Sequence, residues 1–400
     1  MYQLLNGLSL VEVSSFVASP TIGLYCAQFG ADVIRVDQIG GGQDFRRWPV
    51  NERGDSFSWE NLNRAKRSVA LDLTKPEGRE LLVRLCQQVG TLATNLPAKG
   101  FLAHDKLAQG RPDMISVRVM GWPDGAIALD YTANAVVGYP ALTGHGDEPV
   151  NHSLPAWDFI TGAYGAFALL AAVQRRTATG LGGEVRLPLT DIAIGTVANL
   201  GRVAEVLYSG HDRPRLGNAV YGTVGRDFVT ADGVRVMIVA INERQWQGLL
   251  RALDIGAAIA GIETRESVCF AENDGMRYAH RDAIFAVMEA AIAPLSHAEL
   301  AERLDAQGVT HGPYKTLPQA MEDDRLFTAN PMFAQCDSNP SGFAYPAAGA
   351  FATIPQMERA PAAPAPLNGQ HTEQVLAEKL GLSSGEIARL IDTGIAGVAQ

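Results

Sequence analysis

Cysteine is scarce in this chain. Cys26, Cys86, Cys269 and Cys336 are the only four in 400 residues, with no CxxC pair and no histidine at metal-ligand spacing. That pattern excludes a disulfide scaffold and a zinc-ribbon site, and it predicts free thiols and no metal. Charge is also sparse: 19% of residues are Asp, Glu, Lys or Arg, and the net charge of −10 is acidic. A nucleic-acid surface is therefore not expected, although a local basic pocket stays compatible with the totals. Long apolar runs are missing as well, because Arg175 and Arg176 close the longest candidate, so no membrane span is expected. The opening MYQLLNGLSLVEV has no basic n-region and no cleavage site. It does not read as a signal peptide, and a cytoplasmic protein is the expectation. No internal repeat or low-complexity tract stands out.

What remains is a well-packed enzyme-like composition, 47% hydrophobic, in a chain long enough for two domains. Leu8–Val13 reads as a strand, Thr21–Phe29 as a helix closed by Gly30, and Asp32–Val36 as a second strand. This βαβ unit invites a dinucleotide reading with Asp37 on a ribose, but the turn SSFVASP holds no GxGxxG. A dinucleotide-binding protein is thus the weaker alternative. Strands at Ser68–Leu73, Thr91–Thr94 and Met114–Val119 continue the alternation, with Thr74 and Glu77 spaced as a capping box for the helix between. The pattern predicts a parallel sheet covered by helices, with a ligand crevice at the carboxyl ends of the strands. Ser14–Ser19, Asp37–Gly42, Asn95–Lys99 and Met120–Gly125 fall there. Arg64, Lys66 and Arg67 form a basic cluster, either a solvated face or a phosphate site.

The centre of the chain is LPAWDFITGAYGAFALLAAVQRRTATGLGGEVRLPL. It predicts a helix from about Asp158 to Thr177, a glycine break, and a strand at Glu184–Leu187. Asp158 sits at the expected N-cap, where the helix dipole favours an ionised carboxylate. Such a group suits a nucleophile, though most aspartates at helix starts are only caps. Gly162 and Gly165 inside this helix leave a small-residue surface that another backbone or a ligand can approach. Thr190–Ser209 predicts one long helix. Beyond it, DFVTADGVRVMIVAI reads as a hairpin turning at Asp232–Gly233, and Asn242 with Gln245 caps the next helix. From about Arg226 the pattern changes, which suggests a smaller α+β domain over roughly 218–307. His145 and His152 read as loop residues.

Taken together, LNGLSLVEVSSFVASP, FGADVIRVDQIGGGQDFRRW, NLNRAKRSVALDLTKPEGRELL, the central stretch, GNAVYGTVGRDF and PAPLNGQHTEQVL resemble the class III CoA-transferases. The resemblance spans nearly the whole chain. It implies a Rossmann-like parallel-sheet large domain formed by both chain ends, about 1–200 and 320–400, the smaller α+β domain over 218–307 between linkers at 201–217 and 308–319, and an interlocked homodimer. It implies acyl-CoA as substrate and no tightly bound cofactor. On this sequence the family's CoA-contact positions match Phe16, Val17, Ala18, Gln38, Leu71, Asn95 and Leu96. Lys99, Arg46, Arg47, Arg64, Lys66 and Arg67 are candidates for CoA's charged groups. The catalytic aspartate matches Asp158, with Tyr131 a candidate acyl contact and the N–H groups near Ala18 and Gly121 candidates for the oxyanion. GGGQDFRRWPV, LPAWDFITG, DRPRLGN and NPMFA resemble a branch that moves CoA between the two carboxyls of one C5 dicarboxylate, mesaconate. Intermolecular transfer to a free acid is the alternative. Val17 replaces the glutamine of the formyl-CoA enzymes, whose long glycine-rich gating loop is also missing here. Leu129 replaces the histidine that racemase chemistry needs beside the aspartate matching Asp130.

Overall fold

A computed structural model describes residues 1–399. Its first strands are β1 (Ser9–Val13), β2 (Asp32–Asp37), β3 (Arg67–Leu71), β4 (Thr91–Thr94), β5 (Ile115–Met120) and β6 (Gly183–Pro188). Then follow β7 (Val224–Val229), β8 (Arg235–Ala240), β9 (Thr310–Pro313), β10 (Phe333–Cys336), β11 (Tyr345–Ala348) and β12 (Ala396–Gly397). The main sheet runs β12-β3-β2-β1-β4-β5-β6. β1 to β6 pair in parallel, and the C-terminal β12 adds an antiparallel edge, with Ala396 opposite Leu71. Between β1 and β4 the strand order reverses, the place where an open α/β sheet forms its ligand crevice. The chain is therefore an α/β protein whose seven-stranded sheet takes strands from both ends of the sequence.

Both faces of this sheet are covered, so most strand positions are buried and apolar rather than alternating, with Glu12, Arg35 and Arg118 as buried charges among them. Leu10, Val11, Ile34, Val69, Leu71, Leu92, Ile115 and Val117 are all fully buried. One face packs on α1 (Ala18–Gln28), through Ile22 and Cys26. The other packs on α2 (Pro76–Val89), through Leu81, Leu82 and Leu85, and on Val375, Leu376, Ile387 and Leu390 of the C-terminal helices. The expected Thr74–Glu77 capping box is not formed. Pro76 takes the first helical position and keeps Lys75 extended, so Lys75 becomes the cap. Thr74 bonds Asp72 instead, and Glu77 pairs with Arg389.

Further along are α3 (Asp130–Val136), α4 (Ala156–Thr179), α5 (Leu189–Asn199) and α6 (Arg202–Ser209). The single helix expected over Thr190–Ser209 is two helices, because Gly201 adopts a positive φ of 76° and breaks it. α4 starts two residues earlier than expected and is long and apolar enough to cross a membrane by length and composition, Arg175 and Arg176 notwithstanding. It packs along α1. A Cβ on Gly162 would lie 2.5 Å from Thr21 Cβ, and one on Gly165 would lie 2.5 Å from Ile22 Cδ1. The close approach reserved by these glycines is therefore to another helix.

Alanine at Gly162 would gain about 1 kcal/mol of helix propensity. Overpacking against Thr21 costs about 1–3 kcal/mol. Gly162→Ala is accordingly expected to lower stability, read as a lower denaturant midpoint at unchanged slope.

Contacts divide the chain into two compact units. The sheet-bearing unit comprises residues 1–138, 152–211 and 328–400, and the second comprises 139–151 and 212–327. In the second unit, the β7–β8 hairpin turns at Gly233, and β9 pairs with β8. Asn242 accepts from the N–H of Gln245, capping Glu243–Leu253 as the sequence suggests. The 139–151 segment is tied to this unit by Arg215, which donates to the carbonyls of Ala141, Gly146 and Glu148.

Candidate active site

The turn between β1 and α1 is built on buried charge. Glu12 is fully buried at the end of β1 and accepts from Lys66 Nζ at 2.9 Å and Arg35 Nη1 at 2.9 Å. Lys66 also donates to Asn63 and to the carbonyl of Pro20. Burial pushes its ammonium down to about 8 against the pull of Glu12. Arg35 reaches outward to the carbonyl of Ser14, to Asp37 and to Asp44. Asp44 in turn accepts from the N–H of Phe16 at 3.0 Å. Phe16 adopts a φ of 68°, a costly conformation for a bulky residue, and this network holds it there. The Arg47 guanidinium lies 4.6 Å over the Phe16 ring.

Beside this turn stands the first turn of α4. Pro155 occupies the N-cap, so Asp158 is the third helical residue rather than the cap. Its main-chain N–H donates to Asp130 Oδ2 at 3.0 Å. Asp130, at the start of α3, is buried, and its other oxygen lies 2.6 Å from His152 Nε2. Burial first, and the Asp130 charge second, push the Asp158 carboxyl up to about 7, with Arg47 opposing. The helix dipole alone predicts the opposite direction. Desolvation and a second carboxylate outweigh it, and Asp158 becomes a more basic and more nucleophilic group than a surface aspartate.

A cleft of about 400 Å³ opens at this place, lined by Phe16, Val17, Arg47, Trp59, Pro155 and Phe159 among others. Pro155 and Phe159 bracket Asp158 in sequence, so the cleft adjoins the first turn of α4. Of the residues expected to bind CoA, the structure brings Phe16 and Val17 to this cleft, with Ala18 beginning α1 beside them. Gln38 is exposed at the end of β2, and its carbonyl accepts from Asn368. Lys99 is exposed after β4.

The remaining candidates make contacts within the fold. Leu71 is fully buried in the core. Asn95 accepts from Ser15 N–H and donates to Ser15 carbonyl, so it clamps the β1–α1 turn. Leu96 has its N–H on Thr94 and its carbonyl on Arg118. Arg64 is buried against Asn61, Asn339 and Tyr345, Lys66 lies in the Glu12 network, and Arg67 pairs with Asp32 and Glu378. Arg64 and Lys66 are thus buried and hydrogen-bonded within the fold, and Arg67 is ion-paired near its surface. Arg46 is exposed, and Arg47 lines the cleft near Asp158. Gly121 packs tightly against Ala126–Ala128, and its carbonyl accepts from Thr190. Tyr131 is partly exposed, and its ring stands 5.7 Å from that of His152. Sequence reasoning missed the Asp130–His152 contact, since a 22-residue gap carries no periodic signal, and it missed Asp44, Trp59 and Phe159.

The sequence profile of CoA-transferase family III matches residues 5–372. The chain belongs to this family. This family III CoA-transferase is 42% identical over 99% of its length to a 2-methylfumaryl-CoA isomerase of Chloroflexus aurantiacus, of which it covers 98%. It is 29% identical over 94% of its length to a succinate–glutarate CoA-transferase of Agrobacterium fabrum, covering 95% of that protein. Among solved structures it resembles a CaiB/BaiF family protein from Brucella suis, with a TM-score of 0.77 and 27% identity, covering 94% of this chain and 100% of the other. The enzyme is thus a class III CoA-transferase, and the family uses acyl-CoA substrates without a tightly bound cofactor. The family match displaces the dinucleotide-binding alternative.

Proposed function

We propose that this CoA-transferase moves CoA within one molecule, converting 2-methylfumaryl (mesaconyl)-C1-CoA to its C4 isomer. The observation that carries this reading is the 42% identity, across 99% of the chain, to a 2-methylfumaryl-CoA isomerase. An apolar cleft beside a basic aspartate supports it.

Asp158 attacks the C1 thioester carbonyl and expels CoA thiolate, leaving a mixed anhydride. The thiolate then attacks the aspartyl carbonyl, which frees the C1 carboxylate and leaves an aspartyl thioester. The acyl group turns, and its C4 carboxylate attacks the aspartyl carbonyl, expelling the thiolate again. Thiolate attack on the C4 carbonyl gives the isomer and restores the Asp158 carboxylate. Each step exchanges one acyl bond for another, and no water or second acid is consumed. N–H groups in the first turn of α1, next to Phe16 and Val17, are the candidates to stabilise the oxyanions. Arg47 provides positive charge at the same cleft.

We also infer a homodimer. Ile160, Tyr164, Phe167 and Leu170 of α4 and Val203, Leu207 and Tyr208 around α6 are exposed in the single chain. So large an apolar surface suits a partner rather than solvent.

Incubation with mesaconyl-C1-CoA and no added acid tests the reaction. The expected result is the C4 thioester at the rate seen with acid present, from a species sedimenting at the mass of two chains. A strict requirement for succinate or another acid would replace this reading with intermolecular transfer, the activity named for the Agrobacterium relative.

A further inference from the structure

We propose that Asp130 and His152 form a positioning pair for Asp158, in which Asp130 caps α4 from outside the helix and His152 holds that carboxylate in place. The proposal rests on Asp158 being the group that is acylated.

α4 has no cap of its own. Pro155 stands at the N-cap position and offers no side-chain acceptor. In an ordinary helix, the cap side chain accepts from the second or third N–H. Here the third N–H is that of Asp158, and it donates to a carboxylate 28 residues earlier in the chain. The displaced cap orients the nucleophile's own peptide, which a local serine or asparagine would do equally well. What a local neutral cap would not supply is a buried negative charge beside the reacting carboxylate. Asp130 does both.

A buried carboxylate needs partners. Asp130 is 2% exposed, and its second oxygen is 2.6 Å from His152 Nε2. With Oδ2 taken by the Asp158 N–H, the imidazole provides the proton between Nε2 and Oδ1. The ring is fixed by its surroundings: Tyr131 stands edge-on at 5.7 Å, and the Trp157 ring lies at 6.4 Å. Trp157 is anchored through its indole N–H to Asn134 Oδ1 at 3.1 Å. Residues 130, 131, 134, 152 and 157 thus form one packed block that joins α3 to the start of α4. The charged groups that act on Asp158 are Asp130 from α3 and Arg47 from the segment after β2. His152 acts on it through Asp130.

The two halves of the pair should therefore move Asp158 in opposite directions. Asp130→Asn keeps the shape and an acceptor for the Asp158 N–H but removes the charge. The acid limb of the kcat/KM profile is expected to move to lower pH, and kcat to fall about tenfold as the nucleophile becomes less basic, with KM nearly unchanged. His152→Ala removes the hydrogen bond that offsets the Asp130 charge, so that charge acts more fully on Asp158. The acid limb should move up. His152→Gln, which can still donate, should restore most of the wild-type profile.

Infrared titration of protein carrying ¹³C-aspartate, wild type minus Asp158→Asn, follows the Asp158 carboxyl without turnover. It should show the same opposed displacements in Asp130→Asn and His152→Ala. Displacement in the same direction, or none in Asp130→Asn, would overturn the proposal, as would a loss of melting temperature with the titration unmoved. If the wild type proves unable to isomerise mesaconyl-C1-CoA, the proposed reaction fails, while the infrared titration still decides the pair.

Discussion

Asp158→Ala is expected to abolish CoA transfer, with turnover falling by roughly 10⁴-fold or more, as for other covalent nucleophiles. CoA itself should bind within a few-fold of the wild-type affinity, because its expected contacts lie at the ends of the strands and at the β1–α1 turn. Intact-mass measurement during turnover should show an acyl- or CoA-sized adduct on the wild type alone. The same substitution has a second, independent signature in stability. Burial and Asp130 raise the folded carboxyl from 3.8 to about 7. The folded state therefore holds this proton more tightly than the unfolded chain. Its contribution to stability is fully present below about pH 3.8 and is lost as the pH rises through 7. Above pH 7 the ionised side chain destabilises the fold by up to about 4 kcal/mol. Asp158→Ala should consequently gain on the wild type in denaturant midpoint between pH 4 and pH 8. A nucleophile kept at a cost to the fold has this pH signature, whereas a helix cap has the reverse. An active alanine variant would end the covalent scheme.

Glu12→Ala is expected to cost about 3–5 kcal/mol, because it strips the carboxylate from two buried cations at once. Lys66 and Arg35 are essentially without solvent access, and both bond Glu12 directly. Neither can turn to water when the carboxylate is gone. The loss should shrink at alkaline pH, since Lys66, already held down at about 8, can then become neutral. Chemical denaturation at pH 6 and pH 9 measures both effects. Glu12 also accepts from the Ser14 hydroxyl at 3.1 Å, and Arg35 holds the Ser14 carbonyl. Activity is therefore expected to fall further than the folded fraction does. A loss below about 1 kcal/mol at pH 6 would mean that the network is cosmetic and that the Phe16 turn is held by packing alone.

The glycines of α4 illustrate how much of the fold was legible in the sequence. Gly162 and Gly165 announce a close approach, because a helix interior tolerates glycine only at a cost that something must offset. They do not say what approaches. The answer, α1, puts the β1–α1 turn against the first turn of α4, and so creates the cleft. The basic residues show the opposite. Arg64, Lys66 and Arg67 lie together in sequence just before a strand, as a phosphate site would. In the fold Arg64 and Lys66 are buried against Asn339 and Glu12, while Arg67 pairs with Asp32 nearer the surface, and whether a basic residue is buried or exposed has no one-dimensional trace. Arg47 carried the same expectation and lines the cleft beside Asp158.

From its residues alone this chain determines a parallel α/β sheet, a ligand crevice at the carboxyl ends of the first strands, and a single aspartate opening a glycine-bearing helix. These follow from local causes: strand–helix alternation, turn chemistry and the requirements of backbone approach. Only the tertiary structure decides how basic that aspartate is. Asp130 and His152 reach it from 28 and 6 residues away in sequence, through a packed block whose centre, Asp130 and Trp157, is buried. A carboxyl group's proton affinity is set by what surrounds it in three dimensions, and desolvation with a second carboxylate reverses what the helix dipole alone would impose.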